Sequence, residues 1–159
     1  MQLEPLAAQL VESRRQFLAL VADLRPELHR YCARMTGSIA DGEDIVQETL
    51  ARAYYALPEF ATIPPLRPWL FRIAHNRALD HLRRYDQRMG QPLDTAADAN
   101  GESADDPEDE LAREHALHVA VSRFVELAPA QRSCVILKDV LGHSLEEIAA
   151  LLDLSVPAV

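Results

Sequence analysis

Apolar residues along this chain recur at threes and fours, and no segment alternates with a period of two over a strand's length. That spacing gives helices one apolar face and offers nothing to a half-buried sheet, so the expected fold class is all-α. A first stripe runs through Leu3, Leu6, Ala7, Leu10 and Val11 and continues in Phe17, Leu18, Val21 and Leu24. Pro26, a good first-turn residue, opens the expected second helix, in which Leu28, Tyr31, Cys32 and Met35 lead to a stop at Gly37. A third helix starts at Ser38 or Asp41 and turns Val46, Leu50, Ala53, Tyr54 and Leu57 inward before Pro58, Pro64 and Pro65 break the chain. The fourth runs from about Leu66 to Met89, with Leu66, Leu70, Ile73 and Ala74 as its buried stripe. Further helices are expected near Asp109 to Leu127, Pro129 to Leu141 and Ser144 to Leu152, and a last one opens at Val156.

Charge divides this helical chain into parts. The net charge of -9 is distributed as +1 over residues 1–92, -8 over 93–114 and -2 over 115–159. The stretch from Gly90 to Pro107, GQPLDTAADANGESADDP, has two Gly, two Pro and no aromatic residue. It cannot bury enough apolar area to offset its chain entropy and reads as a flexible acidic linker. Two small helical modules are therefore expected, residues 1–89 and 108–159, joined by a linker at 90–107. Both are near or below the size at which a core sustains itself, so packing against a partner is expected.

With 48% apolar and 26% charged positions the chain is in the soluble globular range. Its longest apolar run, Phe17 to Ala22, is far too short to span a bilayer, so no membrane insertion is expected. Cys32 and Cys134 are far apart in the chain and form no CxxC, which excludes a disulfide framework or zinc finger built from them. A reducing cytoplasm is the default localisation.

Three constellations carry functional signal. Asp41, Asp44 and Glu48, at i, i+3 and i+7 with Gln47 beside them, form an acidic face away from the apolar stripe of the third helix. A solvated face whose early acids suit the helix dipole explains this spacing, and so does a docking surface for a basic partner. The fourth helix, PLRPWLFRIAHNRALDHLRRYDQRM, holds Arg67, Arg72, Arg77, Arg83, Arg84 and Arg88. Trp69, Asn76, Asp80 and Arg83 share one face of it, with Arg72 at the edge. An aromatic plane, an amide and guanidinium groups are what a single nucleic-acid strand requires, although Trp69 fits a core position equally well. In the C-terminal segment, Ser144 and Glu147 form a capping box, Ile148, Ala149, Leu151 and Leu152 face inward, and a turn at Asp153 to Ser155 precedes Val156. This is a helix-turn-helix pattern, although a helical hairpin with no DNA role shares it.

The strings DGEDIVQETLARAYYAL, PWLFRIAHNRALDHLRR and LAPAQRSCVILKDVLGHSLEEIAALLDLSVPAV, in that order, resemble the extracytoplasmic-function group of bacterial RNA polymerase sigma factors. The resemblance covers about residues 15–159 and implies two helical domains, domain 2 and domain 4, that direct polymerase to promoters without catalysis or cofactor. It implies that Asp41, Asp44, Gln47 and Glu48 bind the clamp-helix coiled coil of the polymerase's largest subunit. It further implies that Trp69, Arg72, Asn76, Asp80 and Arg83, with loop residues Phe60 to Thr62, melt and read the -10 promoter element. The helix-turn-helix, with Ser155 and Val156 at the start of its second helix, would read the -35 element. Core polymerase and promoter DNA are the implied partners, and an anti-sigma factor or a further C-terminal regulatory domain fits the same family.

The family's final helix continues with Lys- and Arg-rich sequence, whereas this chain stops at Val159. Domain 4 is therefore expected to be incomplete in its recognition helix, as a fragment or a naturally short form, and weak on duplex DNA. Two alternatives belong to other classes. One is an interaction protein that sequesters polymerase or a regulator without initiating transcription. The other is a metalloenzyme using His115 with His118, or His29 with Cys32, but neither pair has the further ligands a metal site requires, so no metal is expected.

Overall fold

The computed structural model describes residues 3–89 and 107–159, and the expected linker lies outside the described residues. Among the described residues every regular element is helical. The first is a single helix, α1 (Leu3–Thr36), that carries Pro26 in its interior. The expected break at Pro26 is thus not made. The apolar register Phe17, Val21, Leu28, Tyr31, Cys32 and Met35 passes through the proline without a change of phase, and all six side chains are buried in one core. Pro26 and Ala22, whose carbonyl loses its amide partner, are both exposed, so that carbonyl is open to solvent and need not be satisfied within the protein.

At the end of α1 Gly37 adopts φ 73°, a left-handed conformation that glycine reaches without strain, and its amide donates to the Ala33 carbonyl at 2.8 Å. Ser38 then caps α2 (Ile39–Ala56), its hydroxyl accepting from the Asp41 amide. Gly42 is buried where α2 crosses α1, and a Cβ there would sit 2.6 Å from the Ala33 backbone. A short 3₁₀ turn, Leu57–Glu59, and a loop through Pro64 and Pro65 lead to α3 (Leu66–Met89), which packs on both earlier helices. Its buried stripe is Leu70, Phe71, Ala74, Ala78 and Leu82, while Leu66 and Ile73 are only partly covered.

Beyond the undescribed segment, α4 (Pro107–Glu126) projects into solvent, with every residue from 109 to 120 exposed. The expected helix from Pro129 divides into α5 (Pro129–Val135) and a π-helical turn, Ile136–Val140. α6 (Leu145–Leu152) begins with the full Ser144–Glu147 capping box. Asp153 closes it with φ 58°, and the helix expected at Val156 is a single 3₁₀ turn, Val156–Ala158.

The two modules bury one core in common. Cys134, Ile136, Leu137, Ile148 and Leu151 join the cluster built by α1, α2 and α3, with α6 lying on α3 and the π turn on α1. The partner that the small second module needs is the first module.

Candidate functional site

The acidic face of α2 is open to solvent on its outer side and borders α3 along one edge. Asp44, Gln47 and Glu48 are exposed and Asp41 is half-buried. Asp41 Oδ2 lies 3.6 Å from His81 Nε2, and Glu48 Oε2 lies 4.0 Å from Arg77 Nη1, both across to α3. Asp44 has no ion pair among the described residues. The neighbouring Glu43 faces α1, where it pairs with Arg25, approaches His29 at 3.8 Å and accepts from Gln47 at 3.2 Å. Four acids in one short stretch therefore serve different ends: Glu43 ties α2 to α1, and Asp44 and Glu48 stay available. A tied Glu and a free Asp one residue apart follow from the turn of 100° between them.

On α3 the expected face divides as well. Asn76 and Arg83 are exposed, and Arg83 Nη2 is 3.4 Å from Asp80 Oδ1 one turn earlier. Arg84 and Arg88 are also exposed, extending a cationic strip along the helix. Trp69 packs against the core and meets Phe60 edge-on, with centroids 5.2 Å apart. Trp69 is partly covered by the core and Phe60 is 40% exposed beside it. Thr62 is exposed in the same loop. Arg72 turns toward the second module, its Nη2 donating to the Ala150 carbonyl at 2.6 Å and its Nε to that of Leu151 at 3.4 Å. Ser155 and Val156 are exposed on the final turn.

The seam between the modules contains a polar cluster that the sequence pattern did not single out, although Tyr31 was expected in the core. Tyr31 Oη lies 2.8 Å from His75 Nδ1 and 2.7 Å from Ser133 Oγ, and Ser133 Oγ is 3.1 Å from the same nitrogen. All three side chains are buried. Burial lowers the His75 pKa, which favours a neutral imidazole, and raises that of the Tyr31 phenol. Arg132, also buried, donates to the Met35 carbonyl at the end of α1 (2.8 Å) and to that of Val125 (2.6 Å). His143 stacks edge-on against Phe71 at 5.6 Å and lies 3.6 Å from Glu27 Oε1. The signal for His75 was its position four residues after Phe71 and three before Ala78, which puts it on the buried side of α3.

The residues weighed for metal do not converge. His115 and His118 are exposed on α4, His29 faces Glu43, and burial pushes the Cys32 thiol up to about 12. Cys32 is a fully buried member of the hydrophobic core.

A helical core that carries an acidic open helix, an arginine-bearing helix and a capped helical hairpin defines a class of two-module regulatory proteins. The sequence matches Sigma-70 region 2 over residues 20–88 and Sigma-70, region 4 over residues 122–159. It is 37% identical to the ECF RNA polymerase sigma factor SigG of Mycobacterium tuberculosis, over 93% of this chain and 46% of that protein, so it spans about half the length of that relative. It is 33% identical to the RNA polymerase sigma factor CarQ of Myxococcus xanthus, over 87% of this chain and 78% of that one. Among solved structures, CnrH in complex with the cytosolic domain of CnrY is 31% identical, with a TM-score of 0.62 over 96% of this chain and 84% of that one. RpoE bound to the anti-sigma factor NepR from Bartonella quintana shares the fold, with a TM-score of 0.69 at 20% identity over 91% and 87% of the two chains. The chain belongs to the RNA polymerase sigma factor family, in its extracytoplasmic-function group.

Proposed function

We propose that this chain directs RNA polymerase to specific promoters for transcription initiation. In this reading residues 1–89 form domain 2, 90–107 a linker and 108–159 domain 4. Asp41, Asp44, Gln47 and Glu48 bind the clamp helices of core polymerase. Phe60, Thr62, Trp69, Arg72, Asn76, Asp80 and Arg83 hold the melted -10 strand, with Phe60 as the stacking ring, Trp69 behind it and the arginines on phosphates. Ser155 and Val156 open the element that meets the -35 duplex. The chain acts by binding and not by catalysis, in the cytoplasm, and needs no cofactor. An anti-sigma factor is a proposed partner, because the similar CnrH and RpoE structures are complexes with the cytosolic domain of CnrY and with the anti-sigma factor NepR.

One observation carries the reading: region 2 and region 4 follow each other in one chain, and the acidic face of α2 in region 2 is left open beside the cationic strip of α3. The test is copurification with core polymerase followed by transcription from a promoter library. Transcripts from a defined subset of promoters are the expected result, and no association with polymerase overturns it. A second reading, sequestration of polymerase without initiation, draws support from the engagement of Arg72 by α6. Polymerase binding that suppresses every promoter in the same assay would favour it.

A further inference from the structure

The outer line of α2 does not end with its carboxylates. Asp44, Glu48, Ala51 and Tyr55 are all exposed. At 100° per residue they fall within about 60° of arc on one side of the helix, spread over about 16 Å. Tyr55 is 75% exposed, more than any other large apolar side chain among the described residues. Ala51, between it and Glu48, is too small to screen either one. The apolar stripe of the sequence includes Tyr54 and passes Tyr55 by, because Tyr55 keeps the phase of the acids.

A single exposed aromatic is ordinary on a protein surface. Tyr55 differs in being braced. Its ring meets that of Tyr54 edge-on at 5.7 Å. Tyr54 is in turn packed against the core, 6.2 Å from the Phe17 ring and with the Arg14 guanidinium 5.0 Å from its centroid. An aromatic side chain already set against a fixed neighbour loses little freedom when a partner covers it. Val11 and Leu18 enlarge the apolar surface on α1, where both are exposed at the i−3 and i+4 positions that share a face with Arg14. Charge and apolar surface are thus laid end to end, with carboxylates over the middle turns of α2 and an aromatic at its C-terminal end.

From this arrangement we propose that Tyr55 is the apolar anchor of the polymerase-docking surface, contacted by core polymerase in the same approach that sets a basic surface on Asp44 and Glu48. The proposal rests on the reading of α2 as the polymerase face and extends it. Continuity identifies the occupant: a partner that lies along α2 and pairs with Asp44 and Glu48 meets Tyr55 two turns further on. The chemistry required of that partner is a cationic stretch followed, about 10 Å along, by an aliphatic or aromatic hollow. The two halves also divide the kinetics. Carboxylates attract over distance and act on association, whereas a ring acts only at contact and so on dissociation.

Stopped-flow fluorescence of the labelled full chain with core polymerase, across a salt series, separates the two halves. Tyr55→Ala is expected to weaken binding about tenfold or more through faster dissociation, with the salt dependence of association left as in wild type. Tyr55→Phe should bind as wild type does, because the ring and not the hydroxyl makes the contact. Asp44→Arg should instead slow association and flatten its salt dependence. Should circular dichroism show lost helix in Tyr55→Ala, Tyr55→Gln, which keeps length and helix propensity, carries the comparison. Binding by Tyr55→Ala or Tyr55→Gln equal to wild type, while Asp44→Arg still slows association, overturns the anchor and leaves the acidic face standing. Unchanged binding in every variant, Asp44→Arg included, refutes the reading of α2 and the anchor with it. Equal weakening by Tyr55→Phe and Tyr55→Ala overturns an apolar contact in favour of the hydroxyl. A wild-type dimer in sedimentation velocity that Tyr55→Ala dissolves gives the patch to a second copy of this chain and overturns polymerase as its occupant.

Discussion

Replacing Gly42 by alanine sets two opposed effects against each other, and the structure decides which is larger. In an isolated helix the change stabilises by about 1 kcal/mol, because glycine gives up more backbone freedom than alanine on folding. Here the new Cβ would lie 2.6 Å from both the N and the Cα of Ala33 and 3.0 Å from its Cβ. Ordinary contact between carbons is roughly 3.5 to 4.0 Å, so α1 and α2 must part by about 1 Å. The obstructing atoms are backbone, and no side-chain rotation relieves them. Overpacking of this kind costs about 1 to 3 kcal/mol, and the interhelical contacts of Ile45, Val46 and Thr49 loosen with it. The net expectation is a destabilisation of about 1 to 2 kcal/mol, read as a fall in melting temperature of about 2 to 8 °C for a chain of this size. Urea denaturation of wild-type and Gly42→Ala protein, followed by far-ultraviolet circular dichroism, measures it. A variant more stable than wild type by about 1 kcal/mol would show that helix propensity dominates and that α1 and α2 are not in close contact there.

Three further outcomes follow from the surfaces described. Asp44→Arg should weaken binding to core polymerase by about 1 to 3 kcal/mol with helical content unchanged, since Asp44 is exposed and has no ion pair among the described residues; equal recovery of both proteins in a polymerase pull-down would return this face to a solvated one. Asn76→Ala should narrow the difference in affinity between single-stranded sequences, whereas Arg83→Ala should weaken all of them alike and flatten the salt dependence, both read by anisotropy across a salt series. His75 has a folded-state pKa below its ordinary value of 6.5, so the unfolded chain binds the extra proton. Its share of stability is complete above pH 6.5 and is lost as the pH falls from there toward the lowered value. Urea midpoints at pH 7.5 and 5.5 should therefore differ more for wild type than for His75→Gln, and equal differences would remove His75 from the account.

Local signals were legible in the sequence where one helix supplies them whole. The bounds of α3, Leu66 to Met89, follow from the prolines before it and the apolar period within it. Ser144 with Glu147 announces α6 from four residues, and the acidic face of α2 follows from spacing alone. Pro26 misled because a proline inside a helix and one at its first turn present the same local sequence; what carries α1 through it is the core on both sides. Gly42 gave no clue that it is a contact, since its reason belongs to Ala33 on another helix. Tyr31, His75 and Ser133 were beyond reach for the same cause, magnified: their hydrogen bonds join positions 44 and 102 residues apart. Trp69 stayed open between core and ligand in the sequence, and the structure sets it against the core with Phe60 edge-on beside it.

The core held in common by the two modules also sets a schedule for biosynthesis. The ribosome completes α3 before it has made any residue of α5 or α6, and at bacterial rates the stretch from Met89 to Ser133 takes about 2 to 9 s to add. For an interval of that length after α3 leaves the ribosome, a nascent chain lacks the Ser133 contact of Tyr31 and His75, and Arg72 is unengaged. Another protein that recognises this face has its best opportunity then, before the chain's own C-terminal helices arrive to compete for it. Capture during translation and capture after release would thus differ in rate even for identical partners at identical concentration.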